Sequence, residues 1–235
     1  MSVKGRVHSI QSLAALDGPS VRFAVFLQGC HLRCGCCHNP DTHALTGGVE
    51  YTAEQLIQKA VRYKEYFGKE GGITLSGGEP LLQAEFAAEL FTLAHREGIH
   101  TCLDTSGSLW NEDVEGLLSV CDRVLLDIKY TSDAQYRQYV GCSLSAPLAF
   151  LQGLDQRAIP TTLRQVILPT LNDTEDSLLA LAAIANAYAC VDKVELLPFR
   201  KLCTVKYEQL GIPFPFAYLP EPSAETMARL EKLLK

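Results

Sequence analysis

The sequence has no apolar run that approaches the roughly 18–20 residues needed to cross a bilayer. It has no basic excess, because 27 acidic residues outnumber 21 basic ones and the formal net charge is −6. Proteins that bind nucleic-acid phosphates usually carry such an excess. Residues 1–6 are followed by a polar stretch, where a signal peptide would have its apolar core. We therefore expect no membrane segment and no nucleic-acid partner.

The composition is that of a globular protein. Of the 235 residues, 47% are hydrophobic and 20% are charged, which is enough apolar material for one core. Chains of about 200–250 residues commonly form one α/β domain. We therefore expect a single domain over residues 1–235.

Nine cysteines are the unusual feature of the composition. Their number is odd and no secretion signal precedes them, so a disulfide framework is disfavoured and a reducing, cytoplasmic location is expected. Four of them, Cys30, Cys34, Cys36 and Cys37, share one short segment. The other five are scattered and are expected to be structural thiols: Cys102, Cys121, Cys142, Cys190 and Cys203.

Short apolar or β-branched runs alternate with amphipathic runs along the chain. The runs predicted as strands are Arg22–Leu27, Gly72–Ser76, Ile99–Asp104, Arg123–Ile128, Thr161–Leu168 and Lys193–Leu197. Such alternation indicates parallel βαβ units. Six units fit the length better than eight, so we predict an α/β fold with a partial, open (β/α)6 barrel like part of a TIM barrel. Functional residues of such folds lie at the carboxyl ends of the strands.

Helix boundaries are also readable. Thr52 and Gln55 form a predicted capping box, and a helix over 83–97 is predicted to end at Gly98. Further helices are predicted at about 174–188 and after Ser223. The proline-rich stretch before that last helix is predicted to be an extended loop.

Three cysteines, Cys30, Cys34 and Cys37, have the spacing Cys-x3-Cys-x2-Cys directly after the first predicted strand. Three thiolates can bind three irons of a [4Fe-4S] cluster and leave the fourth iron open, which suits reactive metal chemistry. A four-ligand zinc site completed by Cys36 or His38 remains an alternative.

Further motifs accompany the cysteines in order. They are Gly5–Ser9, Asp17–Pro19, Ser76–Glu79, Gly98–Thr105, Leu126–Lys129 and Glu195–Pro198. With the cysteine motif they resemble the radical S-adenosylmethionine superfamily. More specifically, the chain from Val3 to about Leu197 resembles the pyruvate formate-lyase-activating enzymes, which are activases of glycyl radical enzymes.

The resemblance implies an oxidoreductase with a [4Fe-4S] cluster and S-adenosylmethionine as cofactors. In that family, reductive cleavage gives a 5′-deoxyadenosyl radical that abstracts hydrogen from the Cα of a glycine in a partner, here pyruvate formate-lyase. It also implies flavodoxin or ferredoxin as electron donor. We expect a monomer, because a large partner must reach the cluster. No cysteine lies between Cys37 and Gly71, so the ferredoxin-like insert of some other activases is missing.

Three alternatives stay open at this point. The chain could activate another glycyl radical enzyme, or it could be a radical enzyme that acts on a small molecule. It could also be a zinc-binding or redox interaction module without enzymatic activity.

The resemblance also assigns residues. It implies Cys30, Cys34 and Cys37 as cluster ligands and no catalytic side chain beyond the cluster and cofactor. Cys36 stands where the superfamily has an aromatic residue, so a ligand set with Cys36 in place of Cys37 is a weighed alternative. The implied S-adenosylmethionine contacts are Cys36, Cys37, His38, Gly78, Glu79, Asp127, Ile128, Lys129 and Arg200.

The remaining assignments concern a cation and the partner. Asp104, Thr105 and Asp127 are the implied oxygen ligands of a monovalent cation. Arg164 is expected to face the active site, with an outward, salt-bridged arginine as the alternative.

In the loop that the family has as Asp-Gly-Pro-Gly, Asp17 is expected to touch the glycyl peptide. Ser20 replaces the last glycine there and is expected to alter the bend. Arg200 stands where the family has a histidine that meets the nucleoside.

Overall fold

A computed structural model describes residues 3–234. The chain forms two compact units, one of residues 3–31 and 42–125 and one of residues 32–41 and 126–234. The single domain over residues 1–235 remains a prediction. Within the part of the chain that is described, no helix is both long enough and apolar enough to cross a membrane.

Eight strands are found within residues 3–234: β1 Lys4–Ala14, β2 Arg22–Leu27, β3 Val49–Thr52, β4 Gly72–Gly77, β5 His100–Thr105, β6 Arg123–Asp127, β7 Thr161–Ile167 and β8 Val191–Pro198. Their hydrogen-bonded order is β3-β1-β2-β4-β5-β6-β7-β8, with β3 and β8 at the edges. β2 pairs in parallel with β4, β4 with β5, and β7 with β8. This open sheet confirms the predicted fold class, the partial barrel of the radical enzymes.

The described residues also form eight α-helices: α1 Ala53–Ala60, α2 Ala84–Arg96, α3 Glu112–Leu118, α4 Asp133–Tyr139, α5 Ser145–Gln156, α6 Glu175–Asn186, α7 Thr204–Leu210 and α8 Ala224–Lys232. Most of them follow a strand, as βαβ units require.

Helix α1 begins where the sequence predicts. The Thr52 side chain accepts a hydrogen bond from the Gln55 backbone N–H at 3.3 Å, and the Gln55 side chain accepts one from the Thr52 N–H at 2.9 Å. This reciprocal capping box satisfies two backbone donors that the first turn leaves unpaired. Thr174 and Ser223 cap α6 and α8 in the simpler way, with one side-chain oxygen each.

All six predicted strands are present, shifted by at most two residues at their ends. Strands β1 and β3 were not predicted from the sequence. They pair antiparallel with each other, and β1 also pairs antiparallel with β2. Both carry exposed polar residues, and β3 is only four residues long. A half-exposed strand of this kind lacks the apolar run that reveals a buried parallel strand.

The pairing of β2 with β4 positions the candidate site of the first unit. Their register aligns Leu27 with Gly77, so both strands end at the same edge of the sheet. Phe23, Val25 and Leu75 are almost fully buried and fix the two strands in the core. The segments that follow Leu27 and Gly77 therefore emerge side by side.

Candidate active site

The cysteine loop, residues 30–39, follows β2. All nine cysteines of the chain are free thiols. Cys30, Cys34 and Cys37 are half-buried, whereas Cys36 is only 8% exposed. Burial raises the pKa of the Cys36 thiol to about 12. The three thiols predicted as ligands are thus partly accessible, whereas Cys36 is not.

The end of helix α4 holds the middle of the cysteine loop. The Arg33 N–H donates to the Val140 carbonyl at 3.1 Å, and the Gly35 N–H donates to the Tyr139 carbonyl at 2.9 Å. The last carbonyls of a helix have no partner within the helix, so they are available to a neighbouring segment. Within the loop, the Cys37 N–H donates to the Cys34 carbonyl at 3.1 Å and closes a tight turn.

A buried hydroxyl lies close to these thiols. The Tyr130 hydroxyl has no hydrogen-bond partner among residues 3–234. Burial raises its pKa, and charge on Cys36 and Cys34 raises it further. Cluster sulfurs accept hydrogen bonds and thiolates are the ligands of iron–sulfur clusters. Half-buried thiols and an unused buried donor therefore fit an iron–sulfur cluster.

The Ser-Gly-Gly-Glu motif supports the chain that leads into the cysteine loop. The Gly78 N–H donates to the Leu27 carbonyl and the Glu79 N–H donates to the Gly29 carbonyl, both at 2.9 Å. A Cβ on Gly78 would lie 2.1 Å from the Gly29 oxygen. Only glycine lets these two backbone segments lie so close together. A turn without a side chain also lets a ligand reach its backbone groups.

Glu79 is 2% exposed, and its carboxylate accepts several hydrogen bonds within the protein. The donors are the Leu81 N–H at 3.1 Å, the Thr105 hydroxyl at 2.6 Å, the Ser106 N–H at 3.0 Å and the Ser106 hydroxyl. Glu79, an implied S-adenosylmethionine contact, therefore also links the ends of β4 and β5.

Two serines extend this network and were missed by the sequence analysis. The Ser106 Oγ lies 2.8 Å from the Ser108 Oγ, and the Ser108 Oγ lies 3.0 Å from the His31 Nε2. The signal that could have found them is the polar run directly after a predicted parallel strand, since strand ends carry function in this fold class.

The predicted cation ligands lie at the ends of strands. The Asp104 Oδ2 accepts a hydrogen bond from the Ser76 hydroxyl at 2.8 Å. The Thr105 hydroxyl donates to Glu79 as described above. Asp127 lies in the second unit, at the end of β6, and has charged neighbours there.

Asp127 is flanked by two cations. Its Oδ2 lies 2.8 Å from the Lys129 Nζ, and its Oδ1 lies 3.4 Å from the Arg164 Nε. Burial alone would raise the pKa of Asp127, but the charges of Lys129 and Arg164 outweigh it and lower that pKa. Arg164 is 9% exposed. It is therefore a buried partner of Asp127 and differs from the outward arginine of the alternative.

The backbone beside Lys129 is fixed by two residues that the sequence analysis missed. The Lys129 N–H donates to the Tyr136 hydroxyl, which donates to the Asp127 carbonyl, both at 3.3 Å. The buried Asn172 donates to the Lys129 carbonyl at 3.3 Å. The Ile128 N–H donates to the carbonyl of Arg164 at 2.9 Å, and the Ile128 side chain is fully buried.

His38 and Arg200 are in contact. The His38 Nε2–H donates to the Arg200 carbonyl at 2.8 Å. The Arg200 guanidinium donates to the Glu221 carboxylate at 2.8 Å, and half of its side chain is exposed. These two residues, both predicted as S-adenosylmethionine contacts, are thus neighbours in the second unit.

The Asp17 loop has an anchored backbone. The Asp17 carbonyl accepts from the Thr74 hydroxyl at 2.7 Å, and the buried Arg22 donates to the Thr74 oxygen at 2.9 Å. Ser20 adopts a φ of +57°, and its hydroxyl donates to the Phe67 carbonyl at 3.1 Å. The serine therefore takes a left-handed conformation of the kind glycine favours.

Comparison with known proteins gives a consistent assignment. Residues 24–182 match the model of the Radical SAM superfamily. The chain is 42% identical over 234 residues to the pyruvate formate-lyase-activating enzyme of Clostridium pasteurianum, covering 99% of this chain and 98% of that protein. It is 39% identical over 238 residues to the pyruvate formate-lyase 1-activating enzyme of Escherichia coli (strain K12), covering 100% of this chain and 97% of that protein.

A solved structure shows the same fold. It is a domain of a pyruvate-formate lyase-activating enzyme from Bacteroides vulgatus, with a TM-score of 0.58 and 21% identity over 70% of this chain and 92% of that one. The family match covers more than half of the chain, and the sequence relatives are similar over almost their full length. The chain belongs to the radical S-adenosylmethionine superfamily and, within it, to the family of pyruvate formate-lyase-activating enzymes.

Proposed function

We propose that this chain activates pyruvate formate-lyase by generating a radical on one glycine of that enzyme. The observation that carries the proposal is 39–42% identity, over essentially the whole chain, to activating enzymes of that name. The Cys-x3-Cys-x2-Cys loop at the end of β2 supports it.

The residues of the cysteine loop fit the cofactor that this reaction needs. When bound, a [4Fe-4S] cluster supplies the electron that splits S-adenosylmethionine into methionine and a 5′-deoxyadenosyl radical, which takes hydrogen from the glycine Cα. Cys30, Cys34 and Cys37 would hold three irons. The part played by the chain is to orient these thiols, through the turn from Cys34 to Cys37 and the carbonyls at the end of α4.

S-adenosylmethionine carries an ammonium and a carboxylate in its methionine part, and the proposed contacts supply groups of opposite charge for them. Glu79 and the backbone of Gly78 would receive the ammonium group, and Lys129 would hold the carboxylate or the ribose. The other proposed contacts are Cys36, Cys37, His38, Asp127, Ile128 and Arg200. The pairing of Asp127 with Arg164 keeps this carboxylate charged and oriented beside Lys129. Asp17 is proposed to touch the glycyl peptide.

A monovalent cation is proposed at Asp104, Thr105 and Asp127. The support is chemical, since hard oxygen ligands suit such an ion, together with the position of these residues in the family motifs. Cleavage of S-adenosylmethionine should then depend on sodium or potassium and fall when a bulky organic cation replaces them. Asp104→Asn should weaken this dependence, and an unchanged dependence would contradict the site.

The remaining proposals concern partners and location. We expect flavodoxin or ferredoxin as electron donor, because the reaction needs one low-potential electron. We expect a monomer, since a large partner must reach the cluster, and a cytoplasmic location, since the free thiols suit a reducing compartment.

The first experiment is anaerobic reconstitution with iron and sulfide. After addition of S-adenosylmethionine and a strong reductant, 5′-deoxyadenosine is quantified for the wild type and for Cys30→Ala, Cys34→Ala and Cys37→Ala. We expect product from the wild type alone. No product from a sample that holds a four-iron cluster would overturn the proposal, and bound zinc in place of iron would favour the non-enzymatic alternative.

A further inference from the structure

The segment from Arg200 to Phe216 contacts the cysteine loop at four places, all within the second unit. It begins after β8 and contains α7. It lies beyond residue 182, where the match to the superfamily model ends. Neither the family motifs nor the cofactor assignment gives α7 or the coil after it a role.

The first contact is made by Tyr207 on α7. Its hydroxyl donates to the Cys37 carbonyl at 3.2 Å. The Tyr207 ring is 4% exposed and stacks on Phe214, with 4.7 Å between the ring centroids and 27° between the planes. Because stacking on Phe214 fixes the orientation of the Tyr207 ring, its hydroxyl points to one acceptor. The backbone of a proposed cluster ligand is therefore tied to a rigid aromatic pair.

The second contact is made by Lys206, the neighbour of Tyr207. Its Nζ donates to the Asn39 Oδ1 at 2.9 Å and pairs with the Asp41 Oδ2 at 3.0 Å. Asn39 and Asp41 lie two and four residues after Cys37, the last cysteine of the loop. One ammonium group thus holds the end of the loop against α7, just beyond the point that Tyr207 holds.

The third contact is made by Phe216 in the coil after α7. Phe216 is 3% exposed and packs edge to face against Tyr139 at the end of α4, with 5.4 Å between the centroids. A Cβ on Gly35 would lie 2.5 Å from the Phe216 Cζ. The ring therefore lies directly on the backbone between Cys34 and Cys37. The fourth contact, from His38 to the Arg200 carbonyl, is described above.

We propose that Lys206, Tyr207 and Phe216 form a C-terminal clamp that holds the cysteine loop in its cluster-binding conformation. The clamp rests on the proposed function, because it needs Cys34 and Cys37 to be ligands. Its members are positioning residues, since they act through the backbone and exit of the loop. Groups that orient metal ligands from outside the coordination sphere contribute measurably to metal affinity.

The clamp is tested with reconstituted holoprotein. Tyr207→Phe removes one hydroxyl and Lys206→Met removes one charge. Matched controls are Tyr218→Phe, an exposed tyrosine two residues after the segment, and Lys193→Met, whose ion pair with Glu195 is exposed. The readouts are the rate of iron loss to a chelator, the electron paramagnetic resonance spectrum of the reduced cluster, and the melting temperatures of the holo and iron-free forms.

We expect roughly 10-fold faster iron loss from Tyr207→Phe and Lys206→Met, together with a changed spectrum and a smaller melting-temperature gap between the holo and iron-free forms. The controls should behave like the wild type. If these residues have a purely structural role, the substitutions lower both melting temperatures equally. The gap between them and the spectrum of the reduced cluster then stay unchanged, and that result overturns the clamp. A wild type that assembles no cluster overturns the proposed function, and the clamp with it. A loaded wild type with unaffected variants overturns the clamp alone.

Discussion

Single residues of the cysteine loop differ in accessibility, and this difference predicts their roles. Cys36 is buried, whereas Cys30, Cys34 and Cys37 are half-buried. A ligand has to reach the metal, and a packed interior thiol behaves as a small apolar side chain. We therefore expect Cys36→Ala to retain a four-iron cluster and the other three alanine variants to lose it. Iron and sulfide analysis measures this, and iron bound by Cys37→Ala but not by Cys36→Ala would contradict it.

Gly35 is a second residue with a sharp prediction. Its Cβ would meet the buried Phe216 ring at 2.5 Å, and overpacking a rigid contact costs about 1–3 kcal/mol. Gly35→Ala should lower the free energy of unfolding in urea by that amount. Gly116→Ala is the control, because its Cβ meets nothing within 4 Å and alanine favours the α3 helix. Adding Phe216→Leu to Gly35→Ala should restore part of the lost unfolding free energy. If the effects of the two substitutions simply add, this contact is refuted.

Glu79 gives the third prediction at this scale. Its carboxylate faces N–H and O–H donors from Leu81, Thr105 and Ser106. In Glu79→Gln, the amide nitrogen replaces one carboxylate oxygen and faces these donors without being able to accept from them. Hydrogen bonds to charged groups contribute about 1.5–3 kcal/mol each. The iron-free variant should lose about 2–3 kcal/mol of unfolding free energy. The exposed Glu231→Gln should change it by less than about 0.5 kcal/mol, and equal losses would count against the network.

At the scale of elements, the buried parallel strands were predictable and the exposed edge was not. Strand β2 is a continuous apolar run after Arg22, β4 carries Ile73 and Leu75, and both strands are buried along almost their whole length. In β1, exposed and covered residues alternate, and Gly5 packs on the Phe86 ring of α2. That contact depends on a helix about 80 residues away. Local pattern alone cannot reveal such a strand.

The residues of the candidate site likewise fall into those that local sequence predicts and those that it does not. The cysteine spacing and the Ser-Gly-Gly-Glu turn are local signals, and both were predicted. Tyr207 and Asn172 act on Cys37 and Lys129 from distant elements. Their importance comes from packing, so no short motif marks them.

The start of β5 carries a pH-dependent contact. Asp122 accepts from the Thr101 N–H at 2.8 Å and from the Thr101 hydroxyl at 3.0 Å, and it pairs with His95 at 3.0 Å. Burial opposes the charge, but the hydrogen bonds from Thr101 and His95 outweigh it and hold the pKa of Asp122 below the usual value of an aspartate. A lowered folded-state pKa gives stability that is present above the unfolded value and lost as the pH falls through the folded one.

Asp122→Asn should therefore be less stable than the wild type near pH 6, and the difference should shrink below about pH 4. A protonated carboxyl and a carboxamide are alike in shape, so the two proteins converge in acid. Urea unfolding at a series of pH values measures this. A difference that stays constant down to pH 3 would mean that Asp122 acts by shape alone.

For the whole molecule, the decisive prediction concerns the partner. Relatives that are 39–42% identical over almost their full length activate pyruvate formate-lyase by name. The reconstituted chain, mixed anaerobically with pyruvate formate-lyase, S-adenosylmethionine and reductant, should therefore produce a glycyl radical signal in electron paramagnetic resonance. The Cys37→Ala variant should produce none, because it loses a cluster ligand. Cleavage of S-adenosylmethionine without a radical on the partner would instead point to another glycyl radical enzyme or a small molecule as substrate.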